Sequence, residues 1–208
     1  MKLYDNFDSG NGYKVRLILN QLDIPYTYLE VDTLKGESRT EDYLAMNPNG
    51  RIPLLEPEPG MYLPESNAIL CFLAEGTPYL PGDRWSRAQV MQWLFFEQYS
   101  HEPNIATPRF WLRHTEIDPR RQGLLEEKQA LGRAALGVME HHLKTSPYFA
   151  AGIYTIADIA LYAYTHVAHQ GGFDLEPYPA VRDWLDRVRD QPRHAPMATQ
   201  PGPVSWRD

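Results

Sequence analysis

Apolar residues recur at Val15, Ile18, Leu19 and Leu22. This is the i, i+3, i+4, i+7 spacing of one helix face, and it leaves Lys14, Arg16, Asn20 and Gln21 on the polar side. A short apolar strand over residues 2–5 precedes this helix, and a second over residues 26–31 follows it, entered through Pro25. A strand, a helix and a second parallel strand need a right-handed crossover, and the helix supplies one. Residues 35–47 make a polar connection with a weak helix. Two short apolar pieces then appear, one carrying Pro53 and one over residues 61–63, before an apolar helix opens at Glu65 and Ser66.

The resulting order, β-α-β-α-β-β-α, is a thioredoxin-like order and predicts an α/β domain over residues 1–76. Residues 77–85, with Pro78, Pro81 and Gly82, read as a linker, and 86–208 as an all-helical second domain. Ser86 can cap the first helix of that domain. Pro103 and Pro108 must bend or interrupt the apolar run that reaches Arg113. Beyond Pro119, Leu131, Ala135, Val138, Met139 and His142 share a helical face. Thr155 and Asp158 form a capping box ahead of a buried stripe of Ile156, Ile159, Ala160, Ala163 and Val167. Pro179 opens a last helix whose Val181, Trp184, Leu185 and Val188 face inward. The proline-bearing tail from Arg193 is expected to be extended.

A formal net charge of −7 over 208 residues argues against nucleic acid or an anionic membrane as partner, and leaves a small anionic ligand open. Cys71 is the single cysteine. No intrachain disulfide can form, and its place between Leu70 and Phe72 reads as a buried structural thiol. No apolar run reaches membrane-spanning length, and residues 1–10 lack a signal-like core, so a cytoplasmic protein is expected. The seven histidines make no metal-ligand constellation, and no metal is expected.

The candidate chemistry lies in residues 47–75 and in the loop Asp8-Ser9-Gly10-Asn11-Gly12-Tyr13-Lys14. Pro53 forfeits a ladder hydrogen bond, so it belongs at an edge or bend where the Ile52 backbone is free to pair elsewhere. Ser66 can cap a helix whose N-terminal amides suit a carboxylate, and Glu65 can accept an ammonium. A ligand with peptide character and an α-amino and α-carboxyl group at one end satisfies all of these. Ser9 offers a hydroxyl and Asn11 an amide where the first helix begins, although both are also preferred capping residues.

The run Asn47-Pro48-Asn49-Gly50-Arg51-Ile52-Pro53-Leu54-Leu55, followed by Glu65-Ser66-Asn67-Ala68-Ile69-Leu70, resembles the glutathione-binding half of the cytosolic glutathione transferases. Asn11-Gly12-x-Lys14, Gln92-Trp93-Leu94-Phe95 and Ile156-Ala157-Asp158-Ile159 resemble the bacterial nu-class or a related Ser/Asn-type class, with Ser9-Gly10 where that class has Thr-Pro. The resemblance implies a detoxifying enzyme with glutathione as co-substrate. Pro53 is then cis, the Ile52 backbone pairs with the cysteinyl part, Glu65 and Ser66 hold the γ-glutamyl end, and Arg51 faces the glycyl carboxylate, with Ser38 and Arg39 in reach. Ser9 or Asn11 contacts sulfur. Lowering a thiol pKa by two units takes ~2.7 kcal/mol, within reach of one charge-assisted hydrogen bond of ~1.5–3 kcal/mol and a helix N-terminus. Tyr4, inside the first strand, reads as packing, and the loop has no cysteine for a mixed disulfide.

The expected second substrate is a small apolar electrophile. The alternatives are a glutathione-dependent disulfide reductase or peroxidase, and a non-catalytic glutathione-binding or interaction module. Arg109, Phe110, Trp111 and Arg113 are candidates for the wall of the second-substrate pocket, and His101 for that site or a subunit contact. The resemblance also implies a homodimer, and Trp85, Trp93, Phe95 and Phe96 add to it more aromatic surface than one side of a helix buries.

Overall fold

The computed structural model describes residues 1–199 and the backbone of 204–205. The chain forms two compact units, Met1–Glu75 with Pro192–Asp208, and Gly76–Gln191.

In the first unit the elements run β1 (Lys2–Asp5), α1 (Gly10–Gln21), β2 (Thr27–Glu30), α2 (Glu41–Met46), β3 (Leu54–Glu56), β4 (Leu63–Pro64), α3 (Ser66–Ala74) and β5 (Val204–Ser205). The sheet order is β4-β3-β1-β2-β5, with β1 parallel to β2, and β3 antiparallel to both β1 and β4. This is the predicted thioredoxin-like arrangement. The returning tail adds an edge strand parallel to β2. Because side chains alternate across a strand, Leu3 and Leu55 are buried on one face, while Tyr4 and Leu54 join Leu29, Val31 and Tyr43 on the other. Tyr4 packs edge-on against Tyr43, 6.5 Å between centroids, and its hydroxyl donates to Glu56 at 2.8 Å.

The main departure from the sequence pattern is α1. It starts at Gly10, and Lys14, Arg16 and Gln21, assigned to the solvent side by periodicity, are all buried. The helix is enclosed because α3 packs along it and the tail is tied to it. Tyr13 donates to the Ala195 carbonyl at 2.8 Å, and Arg16 to that of Met197 at 3.4 Å. Residues from Pro192, expected with the helical domain, therefore group with the first unit.

The second unit holds α4 (Arg84–Phe96), α5 (Glu102–His114), α6 (Pro119–Leu143), α7 (Ile156–Thr165) and α8 (Pro179–Arg189). Asp83, not Ser86, caps α4 by accepting from the Ser86 amide at 2.9 Å. Between α4 and α5 the chain stays helical through a widened π turn, Glu97–His101, with Pro103 in the first turn of α5 and Pro108 inside it. The expected interruption takes that form. On α6, Ala135, Leu136, Met139 and Leu143 are buried, but Leu131 and Val138 are half exposed. The face is rotated toward Gly132, where the helix runs so close to its neighbours that a Cβ would stand 2.6 Å from Phe173 and 2.7 Å from the Asn104 carbonyl.

Every residue of α7 is buried. Its predicted capping box is present, and Asp158 is shared further than a cap requires. Its carboxylate accepts from the Thr155 amide (2.9 Å), the Thr155 hydroxyl (3.2 Å), the Phe149 amide (3.1 Å) and the Trp184 indole (2.9 Å). Burial pushes this carboxyl up to about 6, against the pull of those donors. Among the described residues, no helix is long and apolar enough to cross a membrane, and no three His, Cys, Asp or Glu side chains gather as a metal site.

Replacing Asp158 removes a cap worth ~1 kcal/mol and strands a buried indole N–H and amide at ~1–3 kcal/mol each. Asp158→Ala should therefore destabilise the second unit by about 3 kcal/mol, read by thermal or urea unfolding. A loss under about 1 kcal/mol would mean that these hydrogen bonds are not formed.

Candidate functional site

Two helices of the first unit begin side by side. At the start of α1, Ser9 occupies the capping position, and its hydroxyl oxygen accepts from the Gly12 amide at 3.1 Å. Gly12 has no alternative, since a Cβ there would stand 1.6 Å from the Asp5 carboxylate. Asp5 is itself buried 3.2 Å from Arg16, and Arg16 donates to the Phe7 carbonyl at 2.8 Å. The loop carrying Ser9 is thus tied from below.

At the start of α3 the sequence reading needs correcting. Ser66 is not the cap but the first helical residue, and Glu65 stands in the capping position with no side-chain cap bond. Its backbone has φ 72° and ψ 108°, a conformation that favours glycine, and its side chain is exposed. Ser66 is buried, and its hydroxyl donates to Asn11 Oδ1 at 3.3 Å. Lys14 Nζ donates to Ser66 Oγ at 3.2 Å and to Asn67 Oδ1 at 3.4 Å.

The structure therefore joins Asn11 and Ser66, 55 residues apart, and adds Lys14 and Asn67, which were not among the expected site residues. Lys14 follows Asn11 at i+3, so the two share a helix face. That spacing was the available signal, obscured by assigning Lys14 to solvent. Electrostatically, two helix N-termini and a buried ammonium favour an anion, while exposed Glu65 beside them favours a cation. The corner suits a zwitterion.

Ile52 and Pro53 are held by a separate set of bonds. The Ile52–Pro53 peptide is cis. The Arg51 carbonyl accepts from the Tyr43 hydroxyl at 2.9 Å and the Asn47 amide at 2.8 Å, leaving the Arg51 side chain exposed. Arg39 donates to the Asn49 carbonyl at 3.0 Å, and Ser38 is buried beneath Gly50. Both therefore support the 47–50 turn. Cys71, expected to be buried, is half buried in α3.

In the second unit, His101 is fully buried. Its Nε2 lies 2.9 Å from the Thr165 hydroxyl, which already donates to the Leu161 carbonyl at 2.7 Å, so the ring donates and the contact is one of packing. Arg109 and Arg113 both donate to Gln170 Oε1, at 2.7 and 3.2 Å. Phe110 is half exposed.

Residues 1–75 match the family model described as glutathione S-transferase, N-terminal domain, and residues 122–187 that described as glutathione S-transferase, C-terminal domain. A crystal structure of glutathione S-transferase from Pseudomonas fluorescens is similar at 51% identity with a TM-score of 0.93, over 95% of this chain and 98% of that one. Disulfide-bond oxidoreductase YfcG of Escherichia coli is 31% identical, over 88% of this chain and 87% of its own length. A structure of yeast Ure2p in complex with glutathione has 25% identity and a TM-score of 0.83, over 92% and 95% of the two chains.

The backbone strain at Glu65 is measurable independently of any ligand. A non-glycine residue held at such angles costs ~1–3 kcal/mol, so Glu65→Gly should raise the unfolding free energy by about 1 kcal/mol, and Glu65→Ala should not. A glycine variant less stable than the alanine variant in thermal melts would show that the residue is unstrained.

Proposed function

Since the chain belongs to the glutathione S-transferase family, we propose that it is a cytoplasmic glutathione transferase whose first unit binds glutathione and activates its thiol toward a small apolar electrophile. The observation that carries this reading is the meeting of Asn11, Lys14 and Ser66 where α1 and α3 begin, with Glu65 beside them. Glu65 takes the α-ammonium of the γ-glutamyl group, and the Ser66 backbone amide with the other first amides of α3 takes its carboxylate, the Ser66 hydroxyl proton being held by Asn11 Oδ1. The Ile52 backbone, ahead of the cis Pro53, pairs with the cysteinyl backbone, and the exposed Arg51 meets the glycyl carboxylate. Sulfur then lies over the start of α1. There we assign the thiolate contact to Asn11 and the helix cap to Ser9, whose oxygen is engaged by the Gly12 amide. A hydrogen bond made to the anion alone lowers the barrier, whereas contacts shared by thiol and thiolate only aid binding.

A second reading has support from the Escherichia coli relative, which is named a disulfide-bond oxidoreductase. The same glutathione thiolate would attack one sulfur of a small disulfide, form a mixed disulfide and expel a thiolate. A second glutathione would then release the other thiol and leave oxidised glutathione. Steady-state rates with an aryl halide and with a small dialkyl disulfide separate the two readings. Turnover of the disulfide alone would replace conjugation as the main activity.

The reading includes a homodimer. Trp85, Ala88, Gln92, Phe95 and Tyr99 follow one another at alternating three- and four-residue steps along α4 and the π turn, the spacing of a helix–helix seam. Trp85, Phe95 and Tyr99 are 73, 69 and 87% exposed. Trp93 and Phe96, which the sequence had counted with them, pack against each other instead at 5.2 Å, and Trp93 also packs on Phe149 at 4.6 Å.

Light scattering at micromolar concentration should give twice the chain mass, and Phe95→Glu with Tyr99→Glu should give the monomer. A wild-type monomer would remove the dimer.

Asn11→Ala should move the ultraviolet thiolate absorbance of bound glutathione to higher pH and lower turnover at neutral pH roughly ten- to a hundredfold, with affinity little changed. Ser9→Ala should lower the melting temperature and keep the rate. The reverse pattern would transfer the sulfur contact to Ser9. No effect on thiol pKa or rate in either variant would leave a glutathione-binding module without catalysis.

A further inference from the structure

We infer that Lys14 is a positioning residue for thiol activation, acting through Ser66 to set which end of the Asn11 amide faces the sulfur. The inference rests on the assignment of the thiolate contact to Asn11. A side-chain amide has an accepting oxygen and a donating NH2, and only the NH2 can stabilise a thiolate. The neighbouring Ser66 hydroxyl does not by itself choose between them, because it can donate to the oxygen or accept from the nitrogen. Lys14 breaks that symmetry. Its ammonium has donors and no acceptor, and it donates to Ser66 Oγ at 3.2 Å. A hydroxyl that accepts from a cation becomes a better donor, so its own proton goes to Asn11 Oδ1, 3.3 Å away.

The field of the ammonium acts in the same sense, since it attracts the amide oxygen and repels the NH2. The chain of donation runs Lys14 to Ser66 to Asn11, and it turns Asn11 Nδ2 away from Ser66. Lys14 is anchored for this task by a second bond, to Asn67 Oδ1 at 3.4 Å, and is fully buried, so the charge acts without screening by bulk water.

The test is a cycle of Lys14→Met and Asn11→Ala, singly and combined, read by the pH dependence of bound-glutathione thiolate absorbance, by turnover, and by glutathione affinity. Lys14→Met should raise the thiol pKa by about one unit and lower turnover by about tenfold. It should add nothing in the Asn11→Ala background. An equal shift in both backgrounds would mean that the ammonium acts on sulfur through space, and would overturn the inference. Lost affinity with an unchanged thiol pKa would make Lys14 a ligand contact, with the same consequence.

Should Lys14→Met fail to fold, Ser66→Ala serves in its place, since it removes the hydroxyl that links Lys14 to Asn11. It should raise the thiol pKa in the Asn11 protein and add nothing in the Asn11→Ala background. An unchanged thiol pKa in Ser66→Ala would overturn the orientation. If Asn11→Ala itself leaves the thiol unchanged, the assignment under the proposed function has failed, and Lys14 has nothing to position.

Discussion

A charge sealed from water must be met by oxygen, because leaving it unpaired costs several kcal/mol. The helix α1 carries two such charges, Lys14 and Arg16, two residues apart. At 3.6 residues per turn they project to roughly opposite sides of the helix. Lys14 reaches the start of α3. Arg16 reaches Asp5 at the end of β1, the carbonyl of Phe7 in the loop, and the carbonyl of Met197 in the tail. Satisfying two buried cations therefore fastens four separate pieces of chain to one helix, and two of those pieces make the candidate site. Asp5 shows the strain of the arrangement. Burial pushes its carboxyl up to about 7, although Arg16 pulls it down.

Around that helix the backbone gives way where the site needs room. Gly12 lets the Asp5 carboxylate approach α1 closer than any side chain would allow. Glu65 accepts a left-handed backbone so that α3 can begin with Ser66 turned inward and the Glu65 carboxylate turned out. Of the two, the Glu65 backbone is the strained one, and stored strain in proteins tends to have a functional reason.

The second unit solves its own burial problem with an anion. Asp158 gathers four donors from the turn before α7, from Phe149 and from Trp184 on α8. Here the local signal and the tertiary role agree. A capping box is a four-residue event, so Thr155 and Asp158 were legible in the chain, and the indole bond extends the same carboxylate to a further helix. The packing role of Tyr4 and the β-α-β-α-β-β-α order were legible as local pattern, whereas the cis Ile52–Pro53 peptide was legible only through the family resemblance.

What the sequence determined by itself is the kind and order of the elements from β1 to α8, since apolar period and turn residues act within a few positions of one another. It also supplied the chemistry of Glu65, Ser66, Ser9 and Asn11, because residue type sets which donors and acceptors exist. The rotation of α6, with Leu131 and Val138 outward, was decided by what lies opposite Gly132. The burial of Lys14 and Arg16 was decided by α3 and by the returning tail. Periodicity records how one face differs from another along a single helix, and a helix enclosed on all sides erases that difference. The contact between Asn11 and Ser66 crosses 55 positions of chain, so it exists only once the sheet has brought two helix N-termini together, and only then does a lysine one turn along α1 acquire an oxygen to hold.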